Sequence, residues 1–181
     1  MDVDGGSARG EGLLSETSLF SPQLPSLPAL DEAQLQRLAP DDWPNVMRKL
    51  RQMLQMGLAG LLREQEDDTH YGYLAKVFAR LETLTGEAPL SPLWQVAAAL
   101  VEGMSSAAIA NSPALRSLFK DADKELKRLQ EQGIPGINQP APAELLKSLL
   151  FYIAKAQYPS ARMQIMKDRF GLDDALPDSA L

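Results

Sequence analysis

Cysteine is absent from the 181 residues, and histidine occurs once, at position 70. The lack of cysteine excludes disulfide bonds, thiolate catalysis and cysteine-ligated metal sites, and it is typical of proteins in a reducing cytoplasm. A nucleophilic triad has only His70 as its imidazole base, and no nucleophile elbow accompanies it. A glycine-rich phosphate loop is also missing. We therefore expect no catalytic, cofactor-binding or metal-binding residues in this chain.

Long apolar runs and an excess of basic charge are missing too. No apolar stretch reaches the roughly 18 residues that a membrane-spanning helix needs, and the net charge is −6. Nucleic acid and anionic membranes are poor partners for such a chain, because both select basic surfaces. Residues 1–12 are rich in glycine and aspartate and do not resemble a secretory signal. These features predict a cytoplasmic location.

The chain does contain apolar residues at helical spacing. The first long stripe follows Pro40, repeats at intervals of three and four, and consists of Val46, Met47, Leu50, Met53, Leu54, Leu58, Leu61 and Leu62. Further stripes follow at about 69–85, 91–104, 113–132, 142–157 and 160–170, and no strand-like alternation appears. We predict an all-α, up-down antiparallel helix bundle that resembles phosphotransfer domains, with an extended N-terminal strap.

Local signals set the expected ends of the helices. Ser91-Pro92 and Ser112-Pro113 predict helix starts in which the serine is the cap and the proline is the first helical residue. Glycines at 86, 133 and 171 predict helix ends. The segment 134–139 contains a proline and a glycine and is typical of a loop.

The expected organisation has four parts. Residues 1–12 are a disordered linker, 13–40 an extended strap with a short helix capped by Asp31, 41–171 the bundle, and 172–181 a loose tail. The strap is rich in proline, which blocks regular helix, and it also carries Leu13, Leu14 and Phe20. It either packs these side chains in a groove of the bundle or serves as a flexible linker.

His70 is the one candidate for phosphotransfer. The phosphotransfer signature is histidine, two residues, lysine and glycine, whereas Tyr73 and Leu74 stand at the last two places here. The nearest following lysine, Lys76, is six residues away and is not on the same helix face. Nearby acids would also repel a phosphate: Glu64, Glu66, Asp67 and Asp68. We predict that His70 is not phosphorylated; an active phosphotransfer domain is the alternative.

A run of basic residues is the one candidate for partner binding. It comprises Lys120, Lys124, Lys127 and Arg128, interleaved with Asp121 and Asp123. The simplest interpretation is a solvated helix face with pairs at i,i+4. The functional alternative is a docking face for the acidic surface of a response-regulator receiver.

Five segments carry a family resemblance. They are LLSETSLF at 13–20, VFARLETL at 77–84, ALVEG at 99–103, DKELKRL at 123–129 and LLFYIAKA at 149–156. Together they resemble a segment near the amino terminus of the ChpA-type hybrid histidine kinase of the type IV pilus chemosensory system, and a segment of its scaffold relative FimL.

The resemblance implies a multidomain parent that governs twitching motility. In the kinase, this segment would lie between phosphotransfer modules as a related, degenerate helical domain, and the ATP site would lie elsewhere in the parent. The resemblance therefore implies a non-catalytic scaffold or spacer. It also implies a protein partner, either a response-regulator receiver or a protein of pilus polar assembly, and leaves open whether the parent is the kinase or the scaffold.

Overall fold

A computed structural model describes residues 19–64 and 67–177. All regular elements in these ranges are helical, which confirms the predicted all-α class. They are α1 (Glu32–Leu38), α2 (Trp43–Leu62), α3 (Asp68–Thr85), α4 (Ser91–Ser105), α5 (Pro113–Gln132), a 3₁₀ helix (Ile134–Asn138), α6 (Ala143–Lys155), α7 (Ala161–Phe170) and α8 (Leu172–Ala175). None of the helices in the described ranges has the length and apolarity that crossing a membrane requires.

Helices α2 and α5 run antiparallel, as three contacts along them demonstrate. Near the start of α2, the Trp43 indole donates a hydrogen bond to the carbonyl of Leu129 over 2.8 Å. In the middle, Arg51 meets Asp123 at 3.0 Å. At the end of α2, the amide of Asn111, just before α5, donates to the Leu61 carbonyl over 2.9 Å.

Helix α3 packs against both α2 and α4. Gly57 and Gly60, late in α2, lie against Leu74 and His70, early in α3. Asp68 at the start of α3 and Ser105 at the end of α4 line one groove, so α3 is antiparallel to both α2 and α4. Helix α4 also contacts α6 and α7, and most of its side chains are buried. The core therefore lies around α4.

The described part of the strap packs on the helices. Phe20 is only 1% exposed, and its ring meets that of Phe151 edge-on at 5.5 Å. The N–H of Ser21 donates to the Ala175 carbonyl over 3.2 Å, and that of Gln23 to the Phe170 carbonyl over 2.8 Å. Leu13 and Leu14 lie outside the described residues, as do the predicted linker over 1–12 and the last four residues of the predicted tail.

The far end of the strap is held by a side-chain amide. The N–H of Leu30 donates to Oδ1 of Asn138 over 2.8 Å, while Nδ2 of Asn138 donates to the Leu30 carbonyl over 3.0 Å. Helix α1 follows at once, capped by Asp31 as the sequence predicts. The strap is thus pinned at both ends, by Phe20 and its neighbours and by Leu30.

Most predicted helix ends are present, but the start of α4 is not as expected. Ser112 caps α5 through its side chain, and Gly133 ends that helix at φ 78°, a conformation that suits glycine. Ser91, by contrast, is the first helical residue, and Leu90 precedes it as the cap. Leu90 is buried, and its N–H donates to the Ile137 carbonyl, so a tertiary contact rather than a serine cap sets this end.

Three further expectations need correction. Leu62, assigned to the inward stripe of α2, is 64% exposed, because Gly57, Gly60 and Leu61 occupy the buried face. The predicted loop 134–139 contains a 3₁₀ helix, since Ile134 and Ile137 are both buried. The tail is not loose from residue 172, because Leu172 and Ala175 of α8 are buried.

Candidate partner-binding surface

His70 lies in the first turn of α3 and is held there by Asp67. The Asp67 carboxylate accepts the backbone N–H of His70 over 3.0 Å and lies 2.7 Å from its Nδ1. The pKa of Asp67 lies below its ordinary value; the hydrogen bond from the backbone N–H of His70 contributes most to this, and the one from the ring contributes next. The carboxylate therefore serves as the helix cap and fixes the orientation of the imidazole.

The imidazole of His70 faces α2. Its side chain is only 16% exposed, and a methyl group added at Gly60 would lie 2.1 Å from Cδ2 and 2.7 Å from Nε2. Phosphoryl transfer needs an accessible ring nitrogen and a cation beside it. Here one nitrogen meets a carboxylate and the other lies beside the α2 backbone, so the geometry favours a packing role for His70. That it is not phosphorylated remains a prediction.

The structure separates the four basic residues that the sequence groups together on α5. Arg128 is turned toward the protein: it donates to Glu125 over 3.1 Å and to the Gly136 carbonyl over 2.8 Å. It thereby ties α5 to the 3₁₀ helix. Lys124 is exposed and pairs with Asp121 at 3.3 Å, and Lys127 is exposed on the same helix.

Lys120, the first of the four, lines a groove between α2 and α5. We call this depression of about 280 Å³ the α2–α5 groove; its lining includes Gln55, Leu58, Ala59 and Leu62 from α2 and Arg116 and Lys120 from α5. Among the residues that the sequence nominates for partner binding, only Lys120 lines this groove. Leu58, Leu62 and Arg116 were not predicted as binding residues. The two leucines were assigned to the core because they continue the apolar stripe of α2. Gly57 and Gly60 could have indicated otherwise, because they take the buried face near the end of α2 and so turn Leu62 outward.

Both ends of the α2–α5 groove are fixed by polar contacts. At one end Arg51 donates two hydrogen bonds of 3.0 Å to the carboxylate of Asp123, and this pairing raises the pKa of Arg51. At the other end Arg116 donates to Oδ1 of Asn111 over 2.7 Å. The Asp123 charge is thus neutralised, whereas Arg116 and Lys120 leave the groove with a positive rim.

Two larger depressions are less suited to an acidic partner, because each has a single arginine in its lining, already engaged by another side chain, and acidic residues beside it: Glu87 in one, Asp68 and Glu102 in the other. One, of about 540 Å³, lies under the strap, where Arg169 donates to Gln95. The other, of about 580 Å³, lies between α3 and α4, where Arg162 pairs with Glu82. Among the residues that the structure describes, no three histidine or acidic side chains cluster as metal ligands would.

Comparison with known proteins identifies the family of the chain. The chain is 30% identical over 166 residues to the scaffold protein FimL of Pseudomonas aeruginosa, an alignment that covers 91% of the chain and 29% of that protein. The chain thus spans under a third of this relative's length. No solved structure matches the chain significantly. The family model for the second domain of the FimL scaffold protein matches residues 39–181. The sequence resembles both a kinase and a scaffold, and these matches name the scaffold. The chain belongs to the FimL second-domain family.

Proposed function

We propose that this chain is a non-catalytic, partner-binding domain of a scaffold protein in the chemosensory system that controls type IV pilus twitching motility. The observation that carries the proposal is the family match over residues 39–181 to the second domain of a scaffold protein. A scaffold acts by holding other proteins, so its domains need exposed, chemically distinct surfaces rather than reactive groups.

The proposed partner is a response-regulator receiver or a protein of pilus polar assembly. The positive rim formed by Arg116 and Lys120, with Lys127 farther along α5, supports a partner with an acidic surface, because complementary charges speed encounter and select the partner. Arg128 is already paired within the domain, so we no longer count it among the residues that contact the partner. In this proposal the domain is cytoplasmic, where receivers are found.

A binding panel tests the proposed function. The chain is immobilised and exposed to purified receivers of the system and to its polar-assembly proteins, with and without a small-molecule phosphodonor. We expect saturable binding of at least one panel member. Binding of none would favour a structural spacer and contradict the proposal.

A phosphate-transfer assay on the same proteins tests the rival, an active phosphotransfer domain. The chain is incubated with phosphorylated receiver, and acid-labile phosphate is followed on wild type and on His70→Gln. We expect no phosphate on either protein, because the ring lies between Asp67 and the α2 backbone. Transfer to wild type that vanishes in His70→Gln would establish phosphotransfer.

A further inference from the structure

The α2–α5 groove combines an apolar floor with a positive rim. Leu58 and Leu62 lie one helical turn apart on α2, and Ala59 between them is too small to fill the space beside α5. Leu62 is 64% exposed, although other leucines of this helix, such as Leu54 and Leu61, are fully buried. The groove therefore offers a ligand an apolar contact at Leu58 and Leu62.

The charge around the groove is opposite to that of the whole chain. The net charge is −6, yet the charged side chains that line the groove are Arg116, Lys120 and Asp123. Lys120 on the opposite wall is exposed and makes no ion pair with a described residue. Asp123, the acid of the lining, is held by Arg51. A ligand in the groove therefore meets apolar and positive groups.

We propose that the α2–α5 groove binds an amphipathic helix of a partner protein, with leucine-like anchors on one face and acidic residues beside them. The floor from Gln55 to Leu62 is roughly 10 Å long at 1.5 Å per residue, which matches anchors at i, i+3 or i+4, and i+7. Acidic flanks would meet Arg116 and Lys120. This inference rests on the proposed scaffold function and assigns it a surface and a ligand chemistry.

Two other occupants fit the groove less well. A second copy related by a two-fold axis would bring the same positive rim against itself, so that Lys120 and Arg116 would face like charges. The strap of the same chain lies away from the groove, because Phe20 packs against Phe151 and Leu30 is hydrogen-bonded to Asn138. A partner with acidic flanks is the occupant that the charge favours.

The probe for the test is a fluorescein-labelled helical peptide of about four turns. It has leucines at i, i+4 and i+7 with flanking glutamates, and a control peptide has lysine at each glutamate position. Fluorescence anisotropy against the full chain should give saturable binding of the acidic peptide and none of the basic one. Absence of saturable acidic-peptide binding, or equal binding of the two peptides, would overturn the assignment.

Matched variants locate the binding. Leu62→Gln and Lys120→Glu should each raise the peptide Kd by about tenfold, while melting temperatures stay near the wild-type value because both side chains are exposed. The controls Ile165→Gln, at an exposed position of α7, and Lys76→Glu, on α3, should leave the Kd unchanged. A Kd unaffected by both groove variants would contradict the proposal.

The same variants separate this inference from the proposed function. If a protein of the binding panel binds wild type, Leu62→Gln and Lys120→Glu equally, the scaffold function is retained and the groove assignment is wrong. If the acidic peptide binds as expected but no panel member binds, the groove is supported and the proposed partner class is wrong. If sedimentation shows a wild-type dimer that Leu62→Gln dissociates, a second copy occupies the groove and the acidic partner is excluded.

Discussion

Gly60 and Gly72 are both helical glycines, but their surroundings differ. A Cβ at Gly60 would lie 2.1–2.2 Å from two ring atoms of His70, whereas a Cβ at Gly72 has nothing within 4 Å. Gly60→Ala should therefore lower the free energy of unfolding, since overpacking costs about 1–3 kcal/mol. Gly72→Ala should raise it by up to about 1 kcal/mol, the helix propensity difference. Urea denaturation of both variants checks this.

A double-mutant cycle identifies the cause. In a His70→Ala background the ring is gone, so Gly60→Ala should lose most of its cost, because sites in contact are not additive. An equal cost of Gly60→Ala in both backgrounds would show that His70 does not pack against Gly60. The position of His70 at a helix start was predictable from the neighbouring acids. Its burial against Gly60 was not, because spacing along one helix does not identify the neighbouring helix.

At the scale of the element, buried and exposed leucines should respond differently to truncation. Leu126 and Leu149 are fully buried, so Leu126→Ala and Leu149→Ala should each cost about 2–5 kcal/mol of unfolding free energy. Leu62→Ala, at an exposed position, should stay within about 0.5 kcal/mol of wild type. Thermal unfolding followed by circular dichroism measures all three. A large loss in Leu62→Ala would place that residue in the core after all.

Helix ends were predictable where a local signal decides them and not where a tertiary contact does. Ser112 and Ser160 cap α5 and α7 through their own side chains, so the sequence alone locates both starts. The start of α4 instead follows the contact between Leu90 and Ile137, which are far apart in the chain. The 3₁₀ helix was missed for a similar reason, since burial of its isoleucines orders a segment that proline and glycine make look like a loop.

At the scale of the whole molecule, the strap should stabilise the bundle. A chain beginning at Asp31 loses the Phe20–Phe151 contact and the backbone hydrogen bonds to α7 and α8. It should melt at a lower temperature and self-associate more, because the apolar surface beneath Phe20 becomes exposed. Calorimetry and sedimentation check this prediction. An unchanged melting temperature and a monomeric state would reduce the strap to a linker.

A point substitution isolates the strap's main anchor. Phe20→Ala should cost about 3–5 kcal/mol, the usual range for a buried phenylalanine. Leu24→Ala provides the matched control, because Leu24 is exposed on the same strap and its truncation should cost within about 0.5 kcal/mol. Chemical denaturation measures both. Equal effects of the two substitutions would contradict the role assigned to Phe20.

The all-α class and the family were within reach of the sequence, whereas the candidate site was only partly so. Helical stripes identify elements, and the five matching segments indicate relatives. The α2–α5 groove depends on which two helices are neighbours and on which face of α2 is buried near its two glycines. Local sequence determines neither. Lys120 was found because it is basic and exposed. Leu62 was missed because apolar spacing alone assigns it to the core.

The most direct test of the central claim, that this domain binds a protein partner through the α2–α5 groove and not through His70, is one calorimetric titration series. The partner identified by the binding panel is titrated into wild type, His70→Gln and Lys120→Glu. We predict equal Kd values for wild type and His70→Gln and a Kd about tenfold higher for Lys120→Glu. Binding that is lost in His70→Gln and unchanged in Lys120→Glu would contradict the account.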